Sequence, residues 1–149
     1  MTTIASSVAS SSVPSSETPA RAPASKKAVW TGRVLSGIGV LFLAFDAVFK
    51  LTASEAAASA SAQLGWSSSS IFQLGLIQLV CLAVYLVPRS AIVGAVLWTG
   101  YLGGAIATHL RVGDPLLTHT LFPLYVAALL WGGLWLRDRR VRALVAPVV

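Results

Sequence analysis

Four long apolar runs dominate the chain, separated by short polar breaks. The first, VLSGIGVLFLAFDAVFKLTA at 34–53, is interrupted only by Asp46 and Lys50. The second lies near 70–88, within a stretch from Ala56 to Pro88 that carries no charged residue. The third, 90–110, is uncharged between Arg89 and Arg111, and the fourth, 115–136, is uncharged between Asp114 and Arg137. A bilayer core of about 30 Å needs about 20 helical residues, a length that each run meets or approaches. Backbone groups in lipid must bond within their own segment, so the runs are read as helices. The expected fold is an all-α integral membrane four-helix bundle.

Composition agrees with the pattern. Of 149 residues, 56% are hydrophobic and 11% charged, against roughly 25% charged in a soluble globular protein. A water-soluble domain of this size has no room to bury so much apolar surface. The flanks differ from the spans. Residues 1–29 are rich in Ser, Ala, Thr and Pro without apolar periodicity, which predicts a disordered tail. The tail has no hydrophobic core of the signal-peptide kind, and its Ser-rich composition fits a bacterial cytoplasmic tail better than a transit peptide. Residues 30–145 form the four-span domain, and 137–149 continue as a basic tail.

The net charge of +6 suggests nucleic acid until its distribution is read. Arg21, Lys26, Lys27 and Arg33 precede the first run, Arg89 separates the second and third, and Arg137, Arg139, Arg140 and Arg142 follow the fourth. Only Lys50 and Arg111 fall on the other side. By the positive-inside rule both termini are expected on the cytoplasmic side, and with a tail of the bacterial kind the expected location is a bacterial plasma membrane. The charge then forms a collar that meets anionic membrane lipid, and no nucleic-acid partner is required. Cys81 is the only cysteine, which excludes a Cys-x-x-Cys relay and reads as an inert apolar residue. On the outer side, SEAAASASAQLGWSSSS suggests a short interfacial helix, with Trp66 at headgroup depth and a serine cap for the second span.

The stretch THLRVGDPLLTHTLFP at 108–123 gathers two histidines, an arginine and an aspartate. One account makes it a helical hairpin. Arg111 would complement the third helix's dipole, Gly113 would supply a left-handed stop, and Asp114 would cap the fourth helix with Pro115 behind it. The other account makes it part of a site. Asp46 and Lys50 stand at i, i+4 and can pair on the first helix, and an ionisable group inside a membrane span is costly unless paired or facing the bundle interior. Asp46, Lys50, His109, Arg111, Asp114 and His119 all fall toward one end, where they are read as candidate ligand-binding residues. Gln73 and Gln78 fall in the neighbouring span. His109 and Arg111 are expected on nearly opposite faces of the third helix. Pro123 is expected to kink a long fourth helix beside His119. Two histidines ten positions apart with no cysteine nearby form no zinc set, and no metal is assigned. Catalytic residues are not assigned.

Several motifs together, FDAVFKL, QLGW, GYLGGA, THLRVGDP, LFP and WGGLWLRD, make residues 30–145 resemble the DoxX-like family of small bacterial four-helix membrane proteins. The positions that match its recurrent pattern are Asp46, Lys50, His109, Arg111, Asp114 and Pro115. The resemblance implies a membrane subunit linked to redox or oxidative-stress complexes, with quinone as the implied cofactor and a soluble redox protein as partner. With no redox centre evident in the chain, that partner or a soluble cofactor would carry the electrons. A second reading is a non-enzymatic protein that binds or moves a small solute or lipid, or assists assembly. Transport by four spans would require a homo-oligomer. A third is that the polar residues only stabilise the bundle.

Overall fold

The computed structural model describes residues 25–52 and 54–145; the rest of the expected N-terminal tail and the last four residues lie outside the described residues. The order is α1 (Lys26–Leu51), α2 (Glu55–Gln63), α3 (Ser68–Leu86), α4 (Ala91–Val112), a π-helical turn (Leu116–Thr120), α5 (Phe122–Arg137) and α6 (Arg139–Val145). Four segments are long and apolar enough to cross a membrane: α1, α3, α4 and the π turn continued by α5. The protein is therefore an all-helical, multi-pass integral membrane protein.

α1 begins at Lys26, inside the stretch assigned to the tail, because Ser25 caps it: the Ser25 hydroxyl accepts from the Ala28 N–H at 3.2 Å. The same device starts α2 at Ser54 and α3 at Ser67. The alanine-rich segment thus does form a short helix, and the serine run does cap the second span. α4 ends at Gly113, whose φ of 76° only a glycine takes without strain.

α1 packs most extensively on α5 and then on α3, while α4 packs on α3 and α5. The spanning helices thus form a ring in the order α1, α3, α4, α5. Close approach of α1 and α5 depends on glycine. A Cβ added at Gly32 would stand 2.7 Å from the Gly133 carbonyl oxygen, so neither position has room for one. Beside this crossing the Tyr85 hydroxyl donates to the Leu130 carbonyl at 2.9 Å and lies 3.0 Å from Ser36 Oγ. The core holds Leu43, Leu82, Trp98, Leu102, Leu130 and Leu134, with Cys81 buried among them. Outward faces carry Leu41 (72% exposed) and Phe45 (64%), as helices solvated by lipid do.

The fourth span departs from the expected kinked helix. Thr120 N–H bonds the Pro115 carbonyl and Leu121 N–H bonds the Leu116 carbonyl, both five residues back, so this turn is wide. α5 restarts at Phe122, which places Pro123 in a first turn where no N–H is needed. The span keeps its length and proline breaks no ladder.

Candidate functional site

Two polar groups border one cavity at the end of the bundle that α2 covers. The first is centred on Gln78, a fully buried residue of α3. Its Nε2 donates to Asp46 Oδ2 at 2.8 Å and to the Leu43 carbonyl at 3.1 Å. Its Oε1 accepts from Lys50 Nζ at 3.2 Å and from the Tyr101 hydroxyl at 3.1 Å. Both donors and both acceptors of the carboxamide are filled, which fixes its orientation. Asp46 also pairs with Lys50 along α1. Three helices thereby hold one ion pair in register, and the Lys50 ammonium sits 6.0 Å from the Tyr101 ring centroid.

The second group lies at the α4–α5 connection. His109 Nδ1 stands 2.6 Å from Asp114 Oδ2. Asp114 therefore does not cap the fourth helix with its side chain. The residue before the π turn is Pro115, no side chain caps that turn, and the Asp114 carboxylate folds back to the histidine. With the carboxylate ionised, Nδ1 carries the donated proton and Nε2 is the remaining ring nitrogen. His119 is exposed, lies 2.9 Å from Thr118 Oγ1 through its Nδ1, and has its ring centroid 6.2 Å from that of His109.

The cavity between these groups measures about 510 Å³, within the ~300–1,000 Å³ of small-molecule sites. Asp46, Lys50, Tyr101, Thr108 and His109 supply the polar lining from the spanning helices, and Phe42, Leu102, Phe122 and Val126 much of the apolar wall. Ala57, Ala60 and Ser61 of α2, with Leu64 and Trp66 just beyond it, close one side. Tyr101 and His109 are eight residues apart on α4, about 12 Å along the axis, so the polar lining has two poles.

Of the six residues singled out in the sequence, Asp46, Lys50 and His109 line this cavity, and Asp114 reaches it through His109. His119 stands behind that pair. Arg111 leaves on another face of α4: its Nη2 donates to the Leu64 carbonyl at 2.6 Å, fastening α2. It borders a separate groove with Gly65, Trp66 and Thr108. Tyr101 went unnoticed in the sequence, where it reads as one aromatic among many. Its i, i+8 spacing from His109 was the available signal.

Neither the curated proteins nor the solved structures contain a match to this chain. The DoxX-like family model, however, matches residues 34–133 and so includes the whole Asp46–Lys50–Gln78–Tyr101 network together with His109 and Asp114. The chain belongs to the DoxX-like family.

Proposed function

We propose that the protein is a membrane subunit that binds a quinone headgroup in this cavity and works with a redox partner. The observation that carries the reading is the cavity itself: an apolar chamber with a held ion pair at one pole and a histidine–carboxylate pair at the other. Such a site suits a flat lipophilic ring with oxygens on its edge. A quinone supplies two-electron, two-proton chemistry when bound, and the electrons come from a partner oxidoreductase or a soluble cofactor. Lys50 orients a ligand oxygen by donating to it. His109, held through Nδ1 by Asp114, exchanges a proton at Nε2.

The distribution of charge supports a plasma-membrane location with cytoplasmic termini. Arg33, Arg89, Arg137 and Arg140 lie at the end opposite α2, where they meet anionic lipid. The cavity then opens in the outer half of the bilayer.

The test is to purify the chain in mild detergent, extract it, and quantify bound quinone. Near-stoichiometric quinone that is lost in Asp46→Asn and in His109→Ala supports the reading. Quinone retained by both variants, or absent from wild type supplied with it, overturns the reading in favour of a solute- or lipid-binding protein. In that case the mass spectrum of the extract identifies the alternative ligand.

A further inference from the structure

The protein's own hydrogen bonds leave an unequal set of valences in this cavity. Gln78 has none left, since all four of its positions are used within the network. Asp46 Oδ2 receives both Lys50 and Gln78, whereas Oδ1 has no protein partner among the described residues. Tyr101 gives its proton to Gln78 and keeps only lone pairs. Thr108 likewise gives its hydroxyl proton to the Gly104 carbonyl at 2.9 Å. While neutral, His109 commits its Nδ1 proton to Asp114, which leaves Nε2 as an acceptor. Against these acceptors the spanning helices offer one donor: Lys50 bonds Asp46 and Gln78 and so has one of its three N–H groups free. Ser61 on α2 serves either role, and Trp66 is 38% exposed at the rim.

A ligand that enters the cavity displaces solvent from these acceptors, and one that brings donors replaces the hydrogen bonds so lost. Asp46 and Lys50 cancel in charge, which suits a neutral ligand in either redox form.

We infer that the cavity selects the hydroxylic, reduced form of its ligand, a quinol over the matching quinone, with Asp46 Oδ1 receiving a ligand hydroxyl. This inference rests on the quinone-site reading above and adds a preference to it: once the partner has reduced it, the ligand is held more tightly than the quinone that entered. A quinone ring offers only acceptors, and on the spanning helices it can satisfy only the Lys50 donor while His109 is neutral. A quinol offers two O–H donors, and its oxygens still accept from Lys50. A hydrogen bond to a charged group is strong enough to separate the two forms by at least about tenfold in affinity.

The experiment is anaerobic titration of the full-length protein in lipid nanodiscs with a short-chain benzoquinol and, separately, with its benzoquinone. Binding is followed by isothermal calorimetry. The expected result is a dissociation constant at least about tenfold lower for the quinol, with the ratio collapsing toward unity in Asp46→Asn. Quinone binding as tight as quinol, or tighter, overturns the selectivity while leaving the quinone site intact. Binding of neither form overturns the site and the selectivity with it. The wild-type ratio decides the question by itself, so a poorly folding Asp46→Asn does not remove the test. Where that variant folds, an unchanged ratio overturns the assignment to Asp46.

Discussion

Gln78 Nε2 and Asp46 Oδ2 are 2.8 Å apart across the α1–α3 interface, and this contact holds the Asp46–Lys50 pair to the wall of the cavity. A carboxamide suits the position because it donates to the acid while accepting from the base and the phenol. Leucine at position 78 would leave the Tyr101 hydroxyl without its acceptor, remove the second bond to the Leu43 carbonyl and free the ion pair to move. Gln78→Leu should destabilise the protein by roughly 1–3 kcal/mol. Gln78→Glu should also lower stability, because a second carboxylate would face Asp46. Reversible unfolding in mixed micelles measures both.

At the opposite end an exposed Arg140 clasps a half-buried Asp138, with Arg140 Nη2 at 2.9 Å from Asp138 Oδ2 and 2.6 Å from the Pro88 carbonyl. The Arg140 hydrogen bond holds the Asp138 carboxyl below its ordinary range. A lowered folded value means that the stabilisation is complete above the unfolded carboxyl value of about 3.9 and is lost as pH falls through the folded one. The melting temperature of Asp138→Asn should therefore lie below wild type at pH 7, and the two should converge in acid below about pH 4. A gap that stays constant with pH would assign the loss to Asp138's packing instead of its charge.

The four spans, the short α2, its serine neighbours and the stop at Gly113 were legible in the sequence. Each follows from local chemistry: run length, a capping hydroxyl, a residue without Cβ. The site was legible only as a set of polar positions. The i, i+4 spacing of Asp46 and Lys50 gives their pairing, but the arrival of Gln78 and Tyr101 depends on how α3 and α4 rotate about their axes. That rotation is set by packing spread over many apolar residues, none of them distinctive. Asp114 was misread as a cap for a related reason. Its side-chain direction depends on the left-handed Gly113 before it and on the wide turn after it, which returns the carboxylate to His109. Pro123 suggested a kink because a π turn has no clear signature in sequence.

Neighbouring glycines at 132 and 133 should respond oppositely to the same substitution. A Cβ at Gly133 would lie 2.7 Å from Ser36 N and 2.7 Å from the Gly32 carbonyl oxygen, both backbone atoms of α1. The α1–α5 pair must separate to admit it. At Gly132 a Cβ meets nothing within 4 Å. Gly133→Ala should cost about 1–3 kcal/mol, the usual penalty for overpacking. Gly132→Ala should be neutral or slightly stabilising, since alanine is the better helix former. Thermal unfolding of the pair in one detergent makes the comparison.

Arg111 offers a way to separate the cover from the cavity. It lies outside the cavity lining, yet its Nη2 donates to the Leu64 carbonyl at the end of α2. α2 has no buried residue of its own, so few other contacts fix it over the chamber. Losing an exposed charge-assisted bond of roughly 1 kcal/mol shifts a local opening equilibrium about fivefold. In Arg111→Ala, the amides of Glu55–Gln63 should exchange hydrogen about fivefold faster, while α4 and α5 exchange as in wild type. Ligand association and dissociation should both accelerate if α2 gates access, with their ratio little changed, because the groups that touch the ligand stay in place. Faster α2 exchange with unaltered ligand kinetics would show that ligand reaches the cavity between the spanning helices, directly from lipid.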